Sequence, residues 1–146
     1  MNDRPRGRRT APPPEKTSSE IHLDVRAQSR RWHELGKLPA LRALLNEALE
    51  AGIAVAPRKP MPGAELSLLL TDDKRIRIVN RDWRGFDKAT NVLSFPAAPP
   101  ERIAQSPLLG DIVIAYETVL REAEAESKSV TDHLRHLAIH GLLHLL

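Results

Sequence analysis

The last segment of the chain constrains the fold more than any other. Residues 134–146 read LRHLAIHGLLHLL, and leucine, isoleucine and alanine cover most of the surface that a helix here would have. At about 100° per residue, four histidines fall within an arc of about 80° on one side. They are His133, His136, His140 and His144. The pattern predicts a helix that is apolar nearly all round and lies inside the domain.

His140 and His144 form the candidate metal site, because two imidazoles one helical turn apart can bind the same ion. Gly141 follows the first of them, and a glycine inside a helix costs about 1 kcal/mol relative to alanine. It therefore indicates that another group approaches the helix backbone closely. A hydrogen-bonded core histidine is the alternative for any single member, and His133 and His136 are expected either to support the ligands indirectly or to face the surface. The Cα atoms of His136 and His144, eight positions apart, would lie about 12 Å apart on a helix, so three histidines on this side cannot all bind one ion.

A catalytic zinc site needs about three protein ligands and an open position, and this helix supplies two. The sequence has no cysteine, so histidine or carboxylate must hold any metal. The chain ends at Leu146 without the glycine, asparagine or basic last turn that usually closes a helix. We expect that a natural C-terminal continuation is missing.

Composition narrows the class of protein. A chain of 146 residues with 41% hydrophobic and 28% charged residues fits one globular domain with a real core. No membrane-spanning run or secretory signal is visible, so we expect a cytoplasmic protein that binds no membrane. A net charge of +3 is compatible with nucleic-acid binding. With two tryptophans, one tyrosine and two phenylalanines, we expect RNA to be bound by its backbone and shape rather than by base stacking.

The remaining periodicity predicts the architecture. Residues 1–20 are basic, proline-rich and predicted to be a disordered tail, and residues 21–146 are predicted to form a single domain. The predicted order of elements is β-α-β-α-β-β-α-α, an α+β fold in which helices pack on a small mixed four-stranded sheet. Gly52 is predicted to end the first helix, and Trp83 to belong to the buried stripe of the second.

Four motifs together resemble the YbeY family of bacterial endoribonucleases, which mature ribosomal RNA. The resemblance covers about residues 64–146. The motifs are LTDD at 70–73, NRDWRGFDKATNVLSFP at 80–96, LGDIVIA at 109–115 and HGLLHLL at 140–146. The resemblance implies a zinc-dependent, single-strand-specific endoribonuclease that matures the 3′ end of 16S rRNA and acts in ribosome quality control. Its implied partners are ribosomal RNA and the small ribosomal subunit, with no DNA.

The resemblance also implies the residues of the site. His140 and His144 match the first two histidines of the family's H-x3-H-x5-H motif, which would hold one Zn²⁺ per chain. The third would lie about six residues beyond His144, past the end of this sequence, so the zinc site and the activity are expected to be incomplete in this polypeptide. Arg84 matches the family's functional arginine. Arg81 and Lys88 are candidate contacts to the RNA backbone.

The predicted mechanism is metal-assisted cleavage of an RNA phosphodiester. Zinc would polarise a phosphoryl oxygen or lower the pKa of a bound water towards about 7, and Arg84 would hold the phosphate. The alternative is that Arg84 has no role in catalysis and is a surface arginine that stabilises a helix C-terminus.

Two other functions compete with this one. A zinc peptidase would need glutamate in H-E-x-x-H, where this chain has Gly141. A non-catalytic ribosome-assembly factor would use the same basic surface to bind ribosomal RNA.

Overall fold

The computed structural model describes residues 21–146, and the predicted tail at residues 1–20 lies outside them. The described residues form four strands and four α-helices in the predicted order. The strands are β1 (His22–Ala27), β2 (Glu65–Thr71), β3 (Val92–Pro96) and β4 (Leu108–Ala115). The helices are α1 (Leu38–Val55), α2 (Asp73–Arg84), α3 (Tyr116–Ala125) and α4 (Val130–Leu145).

The four strands form one mixed sheet in the order β1-β2-β4-β3. Strands β1, β2 and β4 are parallel neighbours, and β3 pairs antiparallel with β4 at one edge. Helix α1 makes the crossover between β1 and β2, whereas a loop joins β3 to β4, and these connections favour parallel and antiparallel pairing respectively. The predicted α+β fold with a mixed four-stranded sheet is confirmed.

The two faces of the sheet carry different helices, because successive side chains of a strand point to opposite faces. Ser94 and Ile112 face α4, on the side where the main core also includes residues of α1 and α3. Leu93 and Val113 face the other way and pack with Ile76 of α2 in a smaller cluster. Helices α2 and α4 therefore lie on opposite faces of the sheet.

Helix α1 continues past Gly52, so the prediction that this glycine ends the helix is wrong. The helix runs to Val55, and Gly52 is buried within it. A Cβ atom at Gly52 would lie 3.3 Å from Cγ2 of Ile139 on α4. The glycine allows α1 and α4 to approach each other closely.

The predicted burial of Trp83 is also wrong, because 76% of this residue is exposed. The buried positions of α2 are Ile76 and Asn80, one turn apart. The Trp83 ring instead meets the edge of Phe95 on β3, with 6.4 Å between the ring centroids. Across residues 21–146, the structure has no helix with both the length and the apolar surface needed to cross a membrane.

Candidate metal centre and basic loop

Helix α4 is half buried, and its histidines divide between the two sides. The Ser129 side chain caps its N-terminus by accepting a hydrogen bond from the Asp132 N–H at 3.0 Å. One side of the helix lies in the core, whereas His136, His140 and His144 are exposed. The prediction of a helix buried nearly all round is wrong for this second side, because the sheet and the neighbouring helices cover only the first.

The structure brings His140 and His144 together. Their Nε2 atoms lie 3.1 Å apart, and the ring centroids are 4.5 Å apart. Nitrogens that each lie about 2.0–2.1 Å from one zinc ion are separated by at most about 4.2 Å, so the observed spacing fits two ligands of one ion. Partial burial, together with the nearby His144 and His136, lowers the pKa of His140. This favours the neutral imidazole that binds metal.

The described part of the chain supplies two candidate metal ligands rather than a complete metal site. Within residues 21–146, no group of three or more histidine, cysteine, aspartate or glutamate side chains is placed to hold a metal ion. His133 is buried and its Nε2 lies 2.8 Å from Oε1 of Glu122, as expected for a hydrogen-bonded histidine. The His136 ring stacks on that of His140 at 6.5 Å. Zinc binding by His140 and His144 stays a prediction.

Gly141 is where the sheet touches the helix that carries the histidines. A Cβ atom there would lie 3.0 Å from Cγ2 of Ile112 and 3.1 Å from Oγ of Ser94. The Ser94 hydroxyl donates to the Gly141 carbonyl at 2.9 Å. The close approach predicted from this glycine is confirmed. The same contacts leave no room for the glutamate of a peptidase motif.

Arg84 is the last residue of α2, and the turn that follows ends the helix. Gly85 adopts φ of +79°, a left-handed conformation that glycine accepts without steric cost. The Gly85 N–H donates to the Arg81 carbonyl, and the Phe86 N–H donates to the Asn80 carbonyl. The exposed Arg84 side chain makes no hydrogen bond or ion pair with any part of the chain that the structure describes. Its guanidinium is available to an anion.

Two side chains of α2 hold the start of the following loop, residues 85–91. Nε of Arg77 donates to Oδ1 of Asp87 at 2.8 Å, and this hydrogen bond lowers the pKa of Asp87. The amide nitrogen of buried Asn80 donates to the Lys88 carbonyl at 2.9 Å. A charged groove of about 720 Å³ lies beside the loop, lined by both Arg81 and Lys88. We call this segment, with Arg81 and Arg84, the basic loop.

The far end of the basic loop is tied to the histidine helix. Nδ2 of Asn91 donates to Oε1 of Glu122 at 3.0 Å, and the same oxygen contacts His133 of α4. Sequence reasoning missed Asn80, Asn91 and Glu122. Asn80 follows Ile76 by one helical turn on the buried side, which is a usable signal, but nothing in the sequence marks Glu122.

The predicted site residues thus occupy two places. His140 and His144 converge on α4, whereas Arg81, Arg84 and Lys88 belong to the end of α2 and its loop. No hydrogen bond or ion pair among the described residues joins Arg84 to either histidine. The catalytic and substrate-binding roles of these arginine and lysine residues remain predictions.

The structure resembles the solution structure of TM1509 from Thermotoga maritima, with a TM-score of 0.55 and 24% identity over 86% of this chain and 71% of that one. That likeness shows the α+β fold alone. The family model described as Endoribonuclease YbeY matches residues 27–146. The chain belongs to this family of hydrolytic endoribonucleases, which confirms the resemblance found in the sequence.

Several relatives carry the same name, Endoribonuclease YbeY. The protein of Azorhizobium caulinodans is 46% identical over 127 residues, which are 86% of this chain and 77% of the relative. That of Beijerinckia indica is 46% identical over 85% of this chain and 62% of the relative. That of Rhizobium meliloti is 46% identical over 88% and 77%. The chain therefore spans between about three fifths and four fifths of these relatives.

Proposed function

We propose that this chain is a zinc-dependent endoribonuclease that cleaves single-stranded ribosomal RNA in the cytoplasm. The observation that carries the proposal is the 3.1 Å approach of the His140 and His144 nitrogens in a member of an endoribonuclease family. The substrate would be RNA of the small ribosomal subunit, at the 3′ end of 16S rRNA, and the activity would also serve ribosome quality control.

His140 and His144 would hold one zinc ion through their Nε2 atoms. Bound zinc supplies Lewis-acid chemistry, which polarises a phosphoryl oxygen and lowers the pKa of a bound water to about 7. Both histidines are exposed, so a phosphodiester of an RNA chain has access to this side of α4.

Arg84 would bind a phosphate of the substrate. Its guanidinium is a planar fork of permanent positive charge that fits two phosphate oxygens. Because the side chain is unpaired among the described residues, no existing ion pair has to break before it binds RNA. Arg77 and Asn80 fix the loop that follows Arg84, and Lys88 extends the positive surface along it.

The test is cleavage of a fluorescently labelled single-stranded RNA by a version of the protein extended through the third histidine that the family motif implies, with a duplex of the same sequence as the comparison. Arg84→Ala should lower cleavage by about 10- to 100-fold, which is about 1.4–2.7 kcal/mol of transition-state stabilisation. Arg84→Lys should recover part of the loss, because a lysine keeps the charge but not the fork. Arg102→Ala, at another exposed arginine, is the matched control and should change nothing. Equal cleavage by Arg84→Ala and the control would contradict the role of Arg84.

A second candidate is a non-catalytic assembly factor that binds ribosomal RNA. The observation that favours it is that residues 21–146 supply two zinc ligands and a basic loop rather than a complete metal centre. This candidate predicts that Arg84→Ala weakens RNA binding while the extended protein, supplied with zinc, cleaves no RNA. A zinc peptidase is disfavoured by the packing of Gly141, and chelator-sensitive digestion of casein would reverse that conclusion.

A further inference from the structure

Three aromatic residues lie near the end of α2, and neither the histidine pair nor Arg84 explains them. Trp83 is 76% exposed and Phe86 is 51% exposed. Phe95 on the edge strand β3 is half buried and meets the Trp83 ring edge-on. Burial of large aromatic side chains is favourable, so an exposed group of them indicates a surface that binds a ligand or a partner molecule.

Trp83 and Phe95 form one wall of a groove on the sheet face that α2 leaves partly open. The strand register pairs Asp111 of β4 with Ser67 of β2 on one side and with Phe95 of β3 on the other. These three side chains therefore form a row across one face. The groove measures about 350 Å³, within the range of small-molecule sites, which is about 300–1,000 Å³. Leu69 and Val113 also line it and give it an apolar base.

Asp111 gives this apolar groove a specific chemistry. Its carboxylate is exposed and makes no hydrogen bond or ion pair with residues 21–146. An ionised carboxylate can only accept hydrogen bonds, and its two oxygens can accept two parallel ones. The Ser67 hydroxyl, next to it in the row, can donate or accept. An aromatic wall beside a paired acceptor suits a flat ligand with two adjacent N–H donors.

Guanine is the RNA base that meets this requirement. Its Watson–Crick edge presents two neighbouring donors, N1–H and N2–H, whereas adenine, cytosine and uracil each place an acceptor beside their donor. Single-stranded RNA is commonly recognised by stacking an unpaired base on an aromatic ring and hydrogen bonding its Watson–Crick edge. Arg84 follows Trp83 directly, so a phosphate on Arg84 and a base on Trp83 can belong to the same strand.

We propose that this groove binds one guanine base of the single-stranded RNA substrate. Trp83 stacks on the face of the base, Phe95, whose ring is inclined at 62° to that of Trp83, contacts its edge, and Asp111 accepts hydrogen bonds from N1–H and N2–H. The proposal rests on the proposed function, because it names a base-specific subsite for the same RNA. It also replaces the expectation that RNA is bound without base stacking.

The experiment uses Trp83 as its own reporter. Trp32 is fully buried, so a ligand in the groove should quench Trp83 alone. The probes are the pentanucleotides UUGUU, UUAUU, UUCUU and UUUUU, titrated at constant salt because phosphate contacts depend on ionic strength. UUGUU should quench Trp83 and bind about tenfold more tightly than the other three, as expected for one bidentate contact to a base.

Two variants separate base recognition from general RNA binding. Asp111→Asn replaces one acceptor by a donor, so it should remove the preference for UUGUU and leave the other three affinities unchanged. Asp24→Asn is the matched control, because Asp24 lies in the same row of the sheet, beyond Ser67, and should keep the preference. Thermal denaturation of both variants establishes that they are folded.

The outcomes distinguish this proposal from the proposed function. Equal affinity for all four pentanucleotides, or a guanine preference that survives Asp111→Asn, overturns the guanine subsite. If an apolar peptide quenches Trp83 and no oligonucleotide does, the groove is a protein-docking surface and the proposal is wrong. In either case the effect of Arg84→Ala on RNA cleavage still tests the proposed function, since that assay does not depend on Trp83 fluorescence.

Discussion

Gly141→Ala tests the packing that holds the candidate metal centre against the sheet. The added Cβ atom would lie 3.0 Å from Cγ2 and 3.3 Å from Cδ1 of Ile112, and 3.1 Å from Oγ of Ser94. Ile112 is fully buried on β4, which has a strand on each side. Neither it nor the hydrogen-bonded Ser94 can move without disturbing its neighbours.

The size of the effect follows from two opposing terms. Alanine is favoured over glycine in a helix by about 1 kcal/mol. Overpacking a well-packed core costs about 1–3 kcal/mol, so Gly141→Ala should lower the free energy of unfolding by about 0–2 kcal/mol. Gly52→Ala is the matched control, because its Cβ would lie 3.3 Å from Cγ2 of Ile139, a looser contact than at Gly141 and with a side chain that is only half buried. It should leave stability unchanged or raise it by up to about 1 kcal/mol.

Urea denaturation followed by circular dichroism measures both free energies. If Gly141→Ala stabilises the protein as much as Gly52→Ala does, the contacts with Ile112 do not limit this position and the reasoning is refuted.

Two further predictions concern the anchors of the basic loop. Glu122→Ala removes the acceptor shared by buried His133 and by Asn91, so it should lower the free energy of unfolding by about 1–3 kcal/mol. The control is Glu124→Ala at an exposed position, which should leave the urea midpoint unchanged. The hydrogen bond from Arg77 lowers the pKa of Asp87, so the carboxylate stabilises the loop above about pH 4 and this contribution is lost as pH falls through the lowered pKa. Hydrogen exchange of the loop amides between pH 2 and 6 should show this loss in wild type and no such step in Asp87→Asn; the same step in both would exclude the pair as its cause.

The sequence predicts the fold well where local periodicity and turn chemistry decide the structure. The strands and helices follow the predicted order, and the pair of histidines one turn apart converges as expected. Gly141 is informative because a glycine in an otherwise favourable helix has a cost that only a close contact offsets.

The failures occur where a contact joins distant parts of the chain. Gly52 resembles a helix stop, but its role is set by Ile139 on another helix. Trp83 fits the helical stripe of α2, yet it lies in the last turn of α2 beside an open groove on the sheet face, and its partner is Phe95. The bond between Asn91 and Glu122 spans 31 positions, and local patterns carry no information about such pairs.

Zinc affinity tests the central claim most directly. Competition with a chromophoric chelator would compare wild type with His140→Ala and His144→Ala, and with His136→Ala as the matched control on the same exposed side of α4. Removing either predicted ligand should lower zinc affinity by at least about tenfold, which is about 1.4 kcal/mol, and His136→Ala should change it little. If zinc affinity is unchanged in His140→Ala and His144→Ala, or falls equally in His136→Ala, these two nitrogens do not hold the metal and the proposed mechanism is wrong.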